Sequence, residues 1–524
     1  MLNRSTASHR RLALPRTASL AGACALVATL CFSPSVQADT PVPASYSSRP
    51  GAAYTLYLDF GGFSYSGSWA GGTVPGVTPS YSDDNDYSSF SSHELSNIRQ
   101  IWSGVAAAYA PFNVNVTTVD PAVAAGQTSS DDARQQYYDT QVGIQHTIVG
   151  GVGAWAGGGA LGVSEVGGLI VTAPVPDPYF GIHANFVFAD QNTSLLSQIA
   201  YTIAHEDGHE FNLNHQSDYK SGSSGPYSQE VNEYSIGTGT GPGSVAPIMG
   251  AATAAERELF AVGASQYGDP FSPGVLQNDD QIIANAPGSG GFINDGIGHT
   301  LASATPLPKI GNSVDFNLAK GVIVPVSSSN PAAVGSANYQ PDYWSFTTSG
   351  GLVTLTANSG EEYLTPGTAD PDPTLKTLLT IYDSNGHVVA TSPTTSLSES
   401  ISTTLADGTY YASVTAVGDA IDNRYYPRDF FDQGPFFLTG TVPAAVPGDF
   451  NGNGVVDAAD YVVWRNGLGT TYTQSDYNTW RSHFGQTAGS GAGASATAAV
   501  PEPATLVLLI FAVAGLYCRR GWAG

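Results

Sequence analysis

The sequence predicts a multidomain chain: an α+β region first, an all-β region second and a short repeat-bearing segment last. Three observations carry this. Between about 50 and 290, strand-like and helix-like periodicities alternate along the chain. Between about 295 and 443, short alternating runs recur between Gly, Asn and Asp turns. Between 447 and 486, Asp460-Tyr461-Val462-Val463-Trp464-Arg465 recurs as Asp476-Tyr477-Asn478-Thr479-Trp480-Arg481. A length of 524 residues fits about three or four domains.

In the first region, residues 54–60 alternate and are rich in β-formers, which predicts a strand. Residues 95–110 place Ile98, Ile101, Trp102, Val105, Ala106 and Tyr109 at helical spacing, which predicts an amphipathic helix. Residues 113–118 and 142–149 read as further strands, the second feeding a glycine-rich stretch at 150–159. Residues 185–189 form a last short strand before a helix over about 195–211. Residues 161–166 are a candidate edge strand, and 221–243 read as loop. His146 and His183 are expected to be structural.

The predicted second helix carries His205-Glu206-Asp207-Gly208-His209-Glu210-Phe211-Asn212-Leu213-Asn214-His215. Four residues apart on a helix, His205 and His209 differ by about 40° around the axis, so both imidazoles point the same way. That suits two nitrogen ligands on one Zn²⁺. Glu206 lies beside them as a general base. His215 can complete the set only if the chain turns sharply after His209. Asp207 and Glu210 are expected on the polar face of the helix, from which either could orient the ligands.

H-E-x-x-H with a third His six residues on resembles the metzincin zinc proteases. That family has Gly at the position of Asn212, in a left-handed conformation that ends the helix, and Asn is the next most tolerant residue there. A Met-turn follows in the family. Met249, in Ala246-Pro247-Ile248-Met249-Gly250, is the sole methionine besides Met1. The resemblance implies a twisted sheet backing the active-site helix, an edge strand that pairs with substrate, and an apolar floor made by Met249. Some metzincins carry a Tyr two residues after that Met. Ala251 stands there, which leaves zinc itself, with Tyr234 or Tyr227, to stabilise an oxyanion.

The all-β region resembles the bacterial pre-peptidase C-terminal domain, a small β-sandwich. The carrying residues are Asp342-Tyr343-Trp344-Ser345-Phe346, Ile381-Tyr382-Asp383 and Gly408-Thr409-Tyr410-Tyr411. The resemblance implies an accessory role without catalytic residues. Ahead of the repeat, Asp449, Asn451, Asn453, Val455, Asp457 and Asp460 occupy positions 1, 3, 5, 7, 9 and 12 of a calcium loop, with Gly454 at 6. Asp/Asn/Gly clusters also make ordinary turns. The whole segment resembles a dockerin, which implies Ca²⁺, a small helical module and a cohesin-like partner. The expected fold class is therefore a metzincin-like α+β domain (50–290), a β-sandwich (295–443) and a dockerin-like module (447–486).

The ends carry addresses. Arg4, Arg10, Arg11 and Arg16 precede an apolar run and Val36-Gln37-Ala38, so residues 1–38 read as a signal peptide. Val500-Pro501-Glu502-Pro503, an apolar run to Cys518 and Arg519-Arg520 resemble a PEP-CTERM sorting signal (500–520), behind a Gly/Ala/Ser linker at 487–499. That resemblance implies export, surface sorting, a processing membrane protease and a transient membrane anchor. Cys24, Cys31 and Cys518 all fall in these ends, so disulfides do not stabilise the exported part. With 18 Lys+Arg against 43 Asp+Glu and a formal charge of −25, nucleic acid is excluded as a partner.

Together these residues predict a secreted, surface-directed zinc endopeptidase that hydrolyses protein or peptide substrates through a zinc-activated water, with Glu206 as base. The alternative is an inactive surface or matrix adhesion protein with a structural zinc site and calcium-dependent partner binding.

Overall fold

A five-stranded sheet organises the first half of the chain. The computed structural model describes residues 43–487, except 70–71, 158, 170–181, 192–194, 224, 239–240, 252–254, 266–275, 327–338, 362–365, 419–420, 423–427, 431 and 445. The signal segment, the linker from residue 488 and the sorting segment lie outside the described residues. What is described belongs to one unit, Thr40–Gly524, of mixed α/β structure with mostly sheet and few helices.

The first strands are β1 (Tyr54–Asp59), β2 (Phe63–Tyr65), β3 (Gly76–Thr78), β4 (Val114–Thr117), β5 (Ile144–Val149), β6 (Gly162–Val163) and β7 (Ala184–Val187). The main sheet runs β4-β1-β5-β7-β6, while β2 and β3 form a separate hairpin. Its first four strands are parallel, and β6 lies antiparallel along β7 at the edge. Parallel neighbours need a crossover, and α1 (Ser92–Tyr109) makes it between β1 and β4. The helix starts three residues before its apolar periodicity because Ser91 and Glu94 close a capping box. Leu56, Leu58, Ile98, Ile101 and Val105 are fully buried in the shared core.

The helix α4 (Leu196–Glu210) has no side-chain cap at its start. Packing holds it instead: Ile203 and Ala204 are fully buried, and the Tyr109 hydroxyl of α1 donates to the Ala204 carbonyl at 2.9 Å. Two short helices between β4 and β5, α2 (Pro121–Ala124) and α3 (Asp131–Thr140), were not expected. On α3 only Gln135 and Tyr138 are buried, so the apolar periodicity is too thin to read.

The expected loop at 221–243 is corrected by the structure. Here β8 (Asp218–Gly222) and β9 (Gly225–Asn232) form an antiparallel hairpin, and β10 (Gly241–Pro247) pairs with β11 (Ala255–Leu259). Val231 and Val245 are the only β-branched residues of β8 to β10, so their sequence lacks the strand signal. The first half closes with β12 (Ala261–Ala264), β13 (Leu276–Asn278) and α5 (Asp279–Ala284).

Nine strands of the all-β region form one hydrogen-bonded sheet. Its two longest strands, Asp342–Ser359 and Glu399–Ala416, have 18 residues each and pair antiparallel. The first bends at Gly350 and Gly351, whose φ values are +89° and +102°. Trp344 and Phe346 before the bend share one core with Val353 and Leu355 after it.

The two halves are stitched together. β12 pairs with the strand Arg428–Phe430. The buried Arg257 guanidinium lies 2.9 Å from the Asp432 carboxylate, and the Gln433 amide donates to Asp280 at 2.8 Å. Asp432 also accepts the backbone N–H groups of Lys376 and Gly418.

At the C-terminal side, α6 (Ala458–Gly467) and α7 (Gln474–His483) explain the sequence repeat. The Trp464 indole donates to the Thr473 carbonyl at the start of α7, and the Trp480 indole to the Asp457 carbonyl at the start of α6, each at 2.8 Å. Asp460 and Asp476 each accept the backbone N–H of their own helix cap, Asp457 and Thr473. Among the described residues, no helix is long and apolar enough to cross a membrane.

Arg257→Ala would leave the Asp432 carboxylate buried without its cation, at a cost of about 3 kcal/mol. Urea unfolding should show a matching fall in midpoint. An unchanged midpoint would exclude this ion pair as a stitch between the halves.

Candidate metal centre

The C-terminus of α4 sets the site. Phe211 ends the helix, and Asn212 adopts φ +73°. The Asn212 N–H donates to the His209 carbonyl at 2.8 Å and the Leu213 N–H to the Gly208 carbonyl at 3.1 Å. This is a Schellman ending with its left-handed residue at Asn212. It turns the chain back and buries Leu213, so that His215 arrives beside the helix.

One ring nitrogen from each of His205, His209 and His215 gathers within a 4.8 Å group. Each ring is fixed through Nδ1. His205 Nδ1 lies 2.7 Å from the Ile248 carbonyl, His209 Nδ1 2.7 Å from the Leu213 carbonyl and His215 Nδ1 3.0 Å from Glu233 Oε1. Those acceptors require the proton on Nδ1, so Nε2 carries a lone pair. The Nε2 atoms of His205 and His209 then face each other at 3.1 Å. Two lone pairs at that distance repel unless a cation or proton stands between them. Two tetrahedral ligands at zinc–nitrogen distances would lie about 3.3 Å apart. The donor set therefore fits a divalent cation.

Burial keeps two of these rings neutral. His205 and His209 are 9% and 6% exposed. Desolvation, then the neighbouring imidazoles, holds the His205 pKa well below 6.5 and lowers that of His209 to about 4. Both stay neutral near pH 7, the state that binds metal.

Met249 is fully buried against Gly208, the residue before His209. A Cβ on Gly208 would come within 2.6 Å of its sulfur, so the helix approaches Met249 only because residue 208 has no side chain. The Met249 carbonyl accepts the Gln216 N–H at 2.7 Å, which ties this turn to the residue after His215.

Glu206 is 6% exposed and points into a cleft of about 700 Å³ beside the imidazoles. Gly162 of β6 presses on it: a Cβ there would lie 2.5 Å from Glu206 Oε1. Burial pushes the Glu206 carboxyl well above its usual range; a divalent cation alongside would draw it down. Trp69, Leu161, Val163, Tyr201 and Ile248 line the cleft as well. Tyr234 lines it too, with its ring 4.1 Å from that of His215. The side chain of Tyr227 lies outside the described residues, and Ala251 supplies a backbone N–H to Ser235.

Asp207 and Glu210 correct the expectation of a polar face: both are fully buried. Asp207 accepts Thr147 Oγ1 of β5 at 2.6 Å and the Asn185 amide of β7 at 2.8 Å, which bolts α4 to the sheet. Desolvation raises its pKa to about 7. Glu210 accepts the Ser164 hydroxyl at 2.8 Å. No sequence periodicity marks Thr147, Ser164, Asn185 or Glu233 as partners of this site. His146 and His183 are buried away from it; His146 sits between Asp59 and Gln135 at 3.1 and 3.0 Å.

The second candidate, the loop from Asp449 to Asp460, folds around its first carboxylate. Asp449 accepts the N–H groups of Asn453 and Gly454 at 3.1 and 2.7 Å, and Asn453 Oδ1 accepts Val455 N–H at 2.9 Å. Asp457 accepts Ala459 N–H at 2.7 Å, and Asp460 Oδ1 accepts Asn451 N–H at 2.9 Å. Burial, offset in part by these bonds, raises the Asp449 pKa, and the charge of Asp460 adds to it.

Comparison with known proteins adds an address. Residues 499–520 match the family model of the PEP-CTERM protein-sorting motif. The motif implies export, sorting at the cell surface and a sorting or processing protease as partner. No protein of curated function matches the chain. Among solved structures, the pre-peptidase C-terminal domain of collagenase from Bacillus anthracis is 11% identical, over 25% of this chain and 89% of that one, with a TM-score of 0.14. A likeness at that score carries no argument about fold or function.

Protons should displace a bound cation only near the depressed histidine values. Retention should persist through pH 6.5, the ordinary histidine value, and fail as the pH falls towards about 4. Dialysis at stepped pH followed by metal analysis checks this; loss already at pH 6.5 would contradict it.

Proposed function

We propose that the protein is an exported, surface-directed zinc endopeptidase with a metzincin-like domain at 50–290. The observation that supports this best is the convergence of three imidazoles whose Nδ1 atoms are all engaged, with Glu206 beside them. His205, His209 and His215 would hold Zn²⁺. When bound, Zn²⁺ supplies a Lewis acid that polarises the substrate carbonyl and lowers the pKa of a water.

The protein's own residues do the rest. Glu206 accepts a proton from the attacking water at its carboxylate and delivers it to the leaving amine nitrogen. Its burial keeps that proton off bulk solvent. The outer edge of β6 offers backbone groups to an extended substrate, which would add as a further strand beside the site. Trp69, Leu161, Val163 and Ile248 give its side chains an apolar wall. Tyr234, whose ring packs on His215, would donate its hydroxyl to a developing oxyanion.

The all-β region would be a pre-peptidase C-terminal-like accessory domain. Residues 447–486 would be a dockerin-like module that takes Ca²⁺ at Asp449, Asn451, Asn453, Val455, Asp457 and Asp460 and offers α6 and α7 to a cohesin-like partner.

Casein cleavage by the exported protein, with zinc and calcium present, tests the main reading. Glu206→Ala should keep one zinc per chain and lose turnover by about 10³-fold. A fully active Glu206→Ala would sink the assignment, and a silent wild type that still binds zinc would favour the adhesion protein. The calcium reading has its own check. Chelation or Asp460→Ala should weaken the 447–486 segment, seen as faster proteolysis there, whereas equal rates with and without calcium would remove Ca²⁺ from it.

A further inference from the structure

One linkage at the site is left unused by the reaction above. Glu210 follows His209 directly, yet its carboxylate turns away from the cleft floor to meet the segment after β6. Its Oε1 accepts the Ser164 hydroxyl at 2.8 Å. Its Oε2 fills the space where residue 168 would carry a Cβ, so Gly168 closes over it. One residue earlier, the Gly167 N–H donates to the His209 carbonyl at 2.8 Å. Residues 164–168 thus wrap the end of the metal-binding helix.

The same segment begins at β6, the outer strand of the main sheet, and Gly162, Val163 and Ser164 all line the cleft. β6 is only two residues long and pairs with β7 at Gly162 and Val163. So short a ladder fixes its own position weakly. The distance from this edge to His209 decides where an added strand would run relative to the metal, and the ladder alone does not set it.

We infer that Ser164 and Glu210 form a clasp that fixes edge strand β6 at a set distance from the metal-binding helix and thereby seats the substrate backbone. Both are positioning residues, since neither reaches the reacting atoms. The inference rests on the peptidase reading for its consequence, but the clasp itself is a property of the fold. Here the hydrogen bond joins the sheet edge to a buried helix end, where an unmade bond would leave a polar group desolvated. Were the two side chains in contact by packing alone, the hydroxyl of Ser164 would be dispensable.

The test compares the full exported protein with Ser164→Ala, Ser164→Thr and Glu210→Gln. Two readouts are taken: hydrogen–deuterium exchange of peptides covering 161–169, and kcat and KM on a peptide substrate, with zinc content measured alongside. Ser164→Ala should speed exchange in 161–169 about tenfold and leave 196–210 unchanged. It should raise KM by a similar factor, with kcat within about twofold and one zinc per chain. Ser164→Thr, which keeps the hydroxyl, and Glu210→Gln, which keeps an oxygen acceptor, should both stay near wild type. Unchanged exchange in Ser164→Ala overturns the clasp. So does a loss confined to kcat and zinc content with KM unmoved. A wild type without turnover removes the peptidase reading instead, and exchange alone then decides the clasp.

Discussion

Three imidazoles are held by their far nitrogens, and the rest of the site follows from that constraint. Ile248 and Leu213 supply carbonyls, and Glu233 supplies a carboxylate. Each acceptor comes from a different stretch: the turn after β10, the reversal after α4, and the end of the β8–β9 hairpin. With Nδ1 engaged in every ring, the other nitrogens are left to converge with their lone pairs inward, where a cation would satisfy them together. The fold therefore invests in the outer side of each ligand, the side that sets tautomer and direction. Loss of any one acceptor would free its ring to rotate, and the convergence would fail without any ligand being altered.

The acidic residues of the motif divide the work of holding α4. Glu206 faces the cleft, Asp207 faces the sheet and Glu210 faces the edge segment. Three buried carboxyls on one turn are costly unless each has a partner or a cation nearby. Thr147, Asn185 and Ser164 partner two of them, and the candidate cation lies beside the third. The helix is thereby fixed at its back, its end and its front. This explains why a helix with no side-chain cap at its start can still carry the site rigidly.

Much of this was legible in the sequence, and the misses share a cause. The parallel strands and α1 follow from apolar runs that the core demands, so their positions are readable to within a few residues. His205, Glu206 and His209 are readable because a helix forces fixed spacing on them, and His215 because Asn212 tolerates the left-handed turn that brings it back. Asp207 and Glu210 were not, since charge normally marks an exposed face and only the fold shows that the helix is buried all round. The strands β8 to β10 were missed because Gly, Ser and Pro interrupt the few apolar residues, such as Tyr219 and Val245, that anchor them. Ser164, Thr147, Asn185 and Glu233 lie 18 to 60 residues from the side chains that they meet, and nothing local distinguishes them.

The departure at residue 212 shows how such distant partners alter a local rule. A left-handed helix ending usually takes Gly, because any Cβ costs about 1 kcal/mol there. Asn212 accepts that cost and adds a side chain where Gly has none. The side chain is not idle: its Oδ1 would lie 3.2 Å from a Cβ on residue 167, so it packs against the backbone of Gly167. Gly167 itself has φ +84° and donates its N–H to His209. The usual glycine has in effect moved across the contact, from the helix ending to the segment that wraps it. With Asn212 in place, a side chain at position 167 would be strained by its positive φ and would crowd the Asn212 amide. The helix ending and the wrapping segment therefore form one structural unit, although 45 positions separate them in the sequence.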